Sequence, residues 1–213
     1  MALLALDCAR RGELARDMMT LALPLTLVLA MPRNAAAQQP QGAPAAAAAF
    51  DARAVAEIRA HYLADLDTLH SKFMQLANAI PAEKYSWRPG QGVRSISEVF
   101  MHVAGEWYHW APMSVAGRDP AGFPTDRAQT MAKLQNLEKT AGKTEVLAEL
   151  NRSWAHCRAQ IQGADPAQLT GKYKPWGVTI DEAAFGMAGD LHEHLGQLIA
   201  YSRSVGVKPP WSK

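Results

Sequence analysis

Cysteine is almost missing from this chain of 213 residues, which has only Cys8 and Cys157. No C-x-x-C pair exists, so neither a disulfide framework nor a cysteine-built zinc finger is expected. Cys157 follows His156, but adjacent helical positions diverge, so the two cannot form a nucleophile pair. Cys157 reads as a small core residue. Net charge is low as well: 22 Lys and Arg face 20 Asp and Glu, giving +2. No basic stripe breaks that balance, which removes the electrostatic case for nucleic acid. There is no phosphate-binding glycine loop and no G-x-S-x-G elbow. No apolar run reaches the ~20 residues of a membrane-spanning helix. Strand-like alternation and internal repeats are lacking.

What is present begins with a leader. Arg10, Arg11 and Arg16 precede an apolar stretch from Met19 to Met31, and small residues follow at Ala35 and Ala37. A basic start, a short apolar middle and an A-x-A exit describe a secretory signal peptide over 1–37, cleaved after Ala37. An uncleaved anchor is the alternative. Asp7, Glu13 and Asp17 are unusual in such a leader and allow translation to start at Met18 or Met19. Cleavage would leave Cys157 alone, so a periplasmic or secreted life would not depend on a disulfide. Residues 38–50 hold "QQPQGAPAAAAA", a flexible linker by composition.

The rest, 51–213, carries four amphipathic runs, which predict an all-α, four-helix bundle. Val55, Ile58, Tyr62, Leu66, Leu69, Phe73, Leu76 and Ile80 form a heptad-like seam that Pro81 stops. Ser95 and Glu98 have capping-box spacing at the start of the second helix. Val99, Val103, Trp107 and Trp110 line its inner side, and Pro112 ends or kinks it. Both tryptophans suit either core or a protein interface. The third helix runs from about Thr144 to Gln162, and the fourth opens near Thr179 and ends before Gly206. The connections 81–94 and 118–143 are long for a simple bundle, and a short helix is expected near "RAQTMAKLQNLEK". Long connections often carry function or cover a site.

Seven histidines are the remaining chemistry. With Met187 at zero and 100° per residue, His194 falls near about −20°, Asp190 near about −60° and His192 near about 140°. His194 therefore faces the core, His192 faces water, and Asp190 and His194 can converge on one ion. On the second helix His102 lies close to Glu106, with His109 a heptad further along the same side. His61 and His70 flank the first seam, and His156 is expected in solvent. Imidazole suits Zn, Ni or Fe, and a carboxylate can complete an open three-ligand site. The bland alternative for each histidine is a core or boundary residue with a single hydrogen bond.

"YSWRPGQGVRSISEVFMHVAGEW" and "HEHLGQLIAYSRSVGVKPPWS" resemble the second-helix and last-helix regions of the DinB-like (YfiT/DinB) superfamily. The likeness spans about 53 to 212. It implies a four-helix bundle holding a divalent metal with three histidines, one on the second helix and two, four apart, on the last. Carried over, these positions are His102, Asp190 and His194; the chain departs from the family at 190. Aspartate there makes a two-His-one-carboxylate set for Zn, Ni, Fe or Mn, or else a degenerate site.

The resemblance also implies metal-dependent transferases and isomerases using thiols, often as homodimers. An exported chain would lack small cytoplasmic thiols, which leaves metal-assisted hydrolysis of an unknown small molecule. Glu106 is then a candidate catalytic base or partner of a ligand. A solvated helix acid is its plain alternative. Against the enzyme stand a non-catalytic metal- or ligand-binding bundle and a stress-related module with a degenerate site.

Overall fold

Helix α1, Ala52–Ala79, buries one stripe: Val55, Tyr62, Leu66, Leu69, Phe73 and Leu76. Those positions recur every three or four residues, so a 3.6-residue turn brings them to one side. In the computed structural model the described residues are 52–165, 172–173 and 177–212. The leader expected over 1–37 and the linker over 38–50 lie outside them. Beyond Ile80, Pro81 starts a tight turn, Ala82–Lys84. The buried Tyr85 hydroxyl then donates to the Ala77 carbonyl at 2.7 Å and ties the connection to α1.

Helix α2, Ile96–Gly105, starts with the expected capping box. Ser95 Oγ accepts from the Glu98 N–H at 3.3 Å, and Glu98 Oε2 accepts from the Ser95 N–H at 2.6 Å. Each bond satisfies an N–H that a helix start otherwise leaves bare. The next turn, Glu106–Trp110, is wound as a π-helix, with the Ala111 N–H bonded to the Glu106 carbonyl five residues back. It runs directly into α3, Ala111–Ala116, which Gly117 ends at φ +64°. Pro112 therefore does not stop the rod. It sits in the first turn after the wide π segment, which relieves the clash a proline ring makes with the carbonyl four residues back.

Helix α4, Arg127–Leu137, lies in the long connection and is capped by Asp126, whose Oδ1 accepts from the Gln129 N–H at 2.9 Å. Helix α5 spans Lys143–Gln162. Lys143 Nζ donates to the Asn78 and Ile80 carbonyls at 2.7 Å, placing a cation on bare acceptors at the end of α1. A two-residue antiparallel pair then forms, β1 Lys172–Tyr173 with β2 Val178–Thr179, which the sequence did not suggest. Helix α6, Ile180–Ser204, follows with Thr179 as its N-cap.

Four rods make the bundle: α1, the α2–π–α3 rod, α5 and α6. α1 packs on α5 and α6, and the composite rod packs on the same two. Phe73, Leu150, Leu191 and Leu198 share one buried core with Trp107, which is fully buried and meets Phe73 edge-on. Trp107 is thus core; Trp110 is half-buried against it. Cys157 is buried, as expected of a small core residue. Among the described residues no helix is long and apolar enough to cross a membrane.

Candidate metal centre

Two i,i+4 pairs face each other where α2 meets α6. His102 and Glu106 come from α2 and the first residue of the π turn; Asp190 and His194 come from α6. The i,i+4 spacing stacks each pair on one helix face. Glu106 lies between the imidazoles: its Oε1 is 3.2 Å from His102 Nε2 and 3.2 Å from His194 Nε2. One donor atom each from His102, Glu106 and His194 lies within 4.8 Å of the others. The two rings are edge-on, with centroids 4.9 Å apart.

Asp190 stands at the outer edge. Its Oδ2 is 3.8 Å from His194 Nε2, and its side chain keeps 47% of its surface exposed, whereas Glu106 is only 3% exposed. Outside this trio, Glu138 Oε1 lies 2.8 Å from His102 Nδ1, and Arg94 grips both Glu138 oxygens at 3.1 Å. His194 Nδ1 faces Gln197 Oε1 at 3.3 Å, and Gln197 Nε2 donates to the Tyr201 hydroxyl at 3.0 Å.

The charges follow from this arrangement. Burial alone would push Glu106 up, but hydrogen bonds from His102 and His194 outweigh it and hold the carboxyl down at about 2. Burial opposes charge on His102, yet bonds to Glu106 and Glu138 push it up to about 9. His194 is raised likewise, against its burial, chiefly by Glu106. Asp190 is pushed up to about 6, by burial and by the neighbouring Glu106 carboxylate. Without a metal, Glu106 is a buried anion and both imidazoles are shifted toward their charged forms.

Donor chemistry fits a cation. Glu106 Oε2 is buried and has no hydrogen-bond partner, a costly state for a carboxylate oxygen. Both imidazoles aim Nε2 at the same point, and nitrogen plus carboxylate oxygen is a usual set for divalent transition metals.

The other histidines stand apart. His192 is exposed and meets both Asp65 oxygens at 3.1 Å, so it faces water as the helical geometry required. His61 is exposed, and His70 packs against both Trp107 and Trp154. His109 does not continue the His102 side: it is buried and stacks on Phe123 at 5.0 Å. The π turn absorbs an extra residue and rotates everything after it, which breaks the heptad extrapolation. His156 is half-buried beside Tyr108, not in open solvent. Pro112 has no N–H to offer the Tyr108 carbonyl, and that carbonyl supports the His156 imidazole.

Sequence reasoning brought His102, Glu106, Asp190 and His194 to one place, and the structure does so too. It missed Glu138 and Arg94. Glu138 lies 36 residues beyond His102 in a polar connection, and no local pattern marks it.

A family model described as the DinB superfamily matches residues 65–198, a span that contains every residue of this cluster. No curated protein matches the chain.

Proposed function

The chain belongs to the DinB superfamily, and from that premise we propose that it holds one divalent cation between His102, Glu106 and His194 and works as a metal-dependent hydrolase. The observation that carries this reading is Glu106: a buried carboxylate 3.2 Å from two imidazole nitrogens, with its second oxygen unpartnered. When bound, a divalent cation in this site would supply Lewis acidity toward an oxygen of the substrate or of water.

The chain's own residues do the rest. Glu106 is dry and fixed by two partners, so it suits a ligand better than a proton carrier. Asp190 is closer to solvent and 3.8 Å from His194, so its carboxylate can exchange protons at the open edge. It also remains in reach as a further ligand. Relative to the expectation from sequence, Glu106 and Asp190 exchange their leading roles. Bound Zn, Ni, Fe or Mn are all compatible with two imidazoles and a carboxylate. The signal-like 1–37 segment supports export, and with it hydrolysis over thiol transfer.

Elemental analysis of the purified protein beside His194→Ala and Asp190→His tests the proposal. The parent is expected to hold about one metal ion per chain and His194→Ala far less, with Asp190→His holding at least as much as the parent, as a three-histidine site would. A parent no richer in metal than His194→Ala contradicts the proposal. Metal without turnover of generic esters or thiol acceptors would leave a metal-holding bundle that is not an enzyme.

A further inference from the structure

We propose that Glu138 is the positioning residue that aims His102 at the metal centre, and that Arg94 holds Glu138 in place for that task. The inference rests on the metal-centre reading above and extends it to the long connection that carries α4.

An imidazole can bind a cation through only one nitrogen when the other keeps its proton. In His102 each nitrogen faces a carboxylate. Nδ1 lies 2.8 Å from Glu138 Oε1, outside the trio, and Nε2 lies 3.2 Å from Glu106 Oε1, inside it. An ionised carboxylate only accepts hydrogen bonds. Both contacts therefore call for a donor on the ring; a cation entering beside Glu106 would replace the proton on Nε2, while Glu138 keeps the one on Nδ1 and so leaves Nε2 as the nitrogen that faces the trio. The same contact fixes the plane of the ring.

Glu138 is itself held. Arg94 Nε meets Oε2 and Nη2 meets Oε1, both at 3.1 Å, the two-pronged geometry that planar guanidinium and carboxylate groups favour. The rest of the placement comes from α4. Leu134 is buried, and Glu138 caps the helix one turn later. Gly105 lets α4 come close to α2: a methyl group there would stand 3.3 Å from Leu134 Cδ2. Arg94 from before α2 thus acts on His102 Nδ1 through Glu138 at the end of α4. His194 lacks such an arrangement; its Nδ1 partner is the uncharged Gln197 of its own helix, at 3.3 Å. Holding a histidine ligand by its outer nitrogen is a recurrent way of tuning metal affinity.

The test is Co²⁺ binding by the metal-stripped full chain, measured by competition with a chelating indicator and by the visible absorption of the bound ion. Glu138→Ala is expected to weaken Co²⁺ by ~10–100-fold and to change the absorption bands, because the ring is no longer fixed. Glu138→Gln keeps an acceptor oxygen toward Nδ1 and should fall between parent and Glu138→Ala. Arg94→Ala, on an exposed side chain, should weaken binding in the same direction but less. Circular dichroism of each metal-free variant checks that the helices persist. Parent-like affinity and spectrum in both Glu138→Ala and Arg94→Ala overturn the inference and leave the metal centre standing. If Glu138→Ala fails to fold, parent-like Arg94→Ala and Glu138→Gln overturn it equally. A parent that binds no Co²⁺ removes the centre itself, and this inference with it.

Discussion

Glu106 and His109 sit three residues apart and illustrate opposite ways of burying a titratable group. Glu106 keeps its charge because two imidazoles answer it; His109 loses its own because nothing does. Burial lowers His109 to about 4, with Asp119 opposing and His156 and Lys133 assisting, and its Nδ1 has no hydrogen-bond partner. An unfolded chain would protonate that ring near pH ~6.5. Below that pH the unfolded state takes the proton first, so stability falls as pH drops from 6.5 toward 4, by about 2 kcal/mol for this group. Urea unfolding at pH 7 and pH 4.5 checks it: His109→Phe should lose less stability between the two than the parent does. Equal losses would mean that His109 is not the group responsible. At this scale the sequence was informative only where spacing was regular. His102 with Glu106, and Asp190 with His194, are i,i+4 pairs, and a helical wheel finds them. Glu138 reaches His102 only through tertiary packing, and no wheel contains that contact.

The elements were legible where hydrophobic period and caps agreed. The α1 stripe, the Ser95 capping box and the start of α6 at Thr179 all follow from them. Ser95 can be weighed: its hydroxyl serves the Glu98 N–H and lies 3.1 Å from Ser97 Oγ. Ser95→Ala should lower unfolding free energy by about 1 kcal/mol, the usual effect of losing such a cap. Thermal unfolding followed at 222 nm would read this as a lower midpoint, and an unchanged midpoint would show that the box adds nothing here. The π turn was not legible. It breaks the 3.6-residue period between Glu106 and Trp110, and a rule based on that period cannot announce its own failure. The end or kink expected at Pro112 takes the form of this turn, and the displaced His109 face follows from it. The β1–β2 pair is two residues a side, too short for alternation to register.

At the scale of the whole molecule, four rods supply a core, and the connections supply control. The bundle was expected because four amphipathic helices have few other ways to cover their apolar faces. What the bundle does not dictate is where along its rods a site forms. Here α2 and α6 meet with two histidines and two acids facing, while the 118–143 connection returns through α4 to place Glu138 on His102. As a metal centre, this cluster must release protons from its histidines when a cation binds. Titration of the metal-stripped protein with Zn²⁺ in weak buffer near pH 7, with an indicator for released protons, reads both the binding and the release. One ion per chain should bind, with a release of protons as His102 and His194 take the ion through Nε2. Both signals should vanish in Glu106→Ala. Zn²⁺ uptake that persists undiminished in Glu106→Ala, or no uptake by the parent, would contradict a metal centre at this cluster.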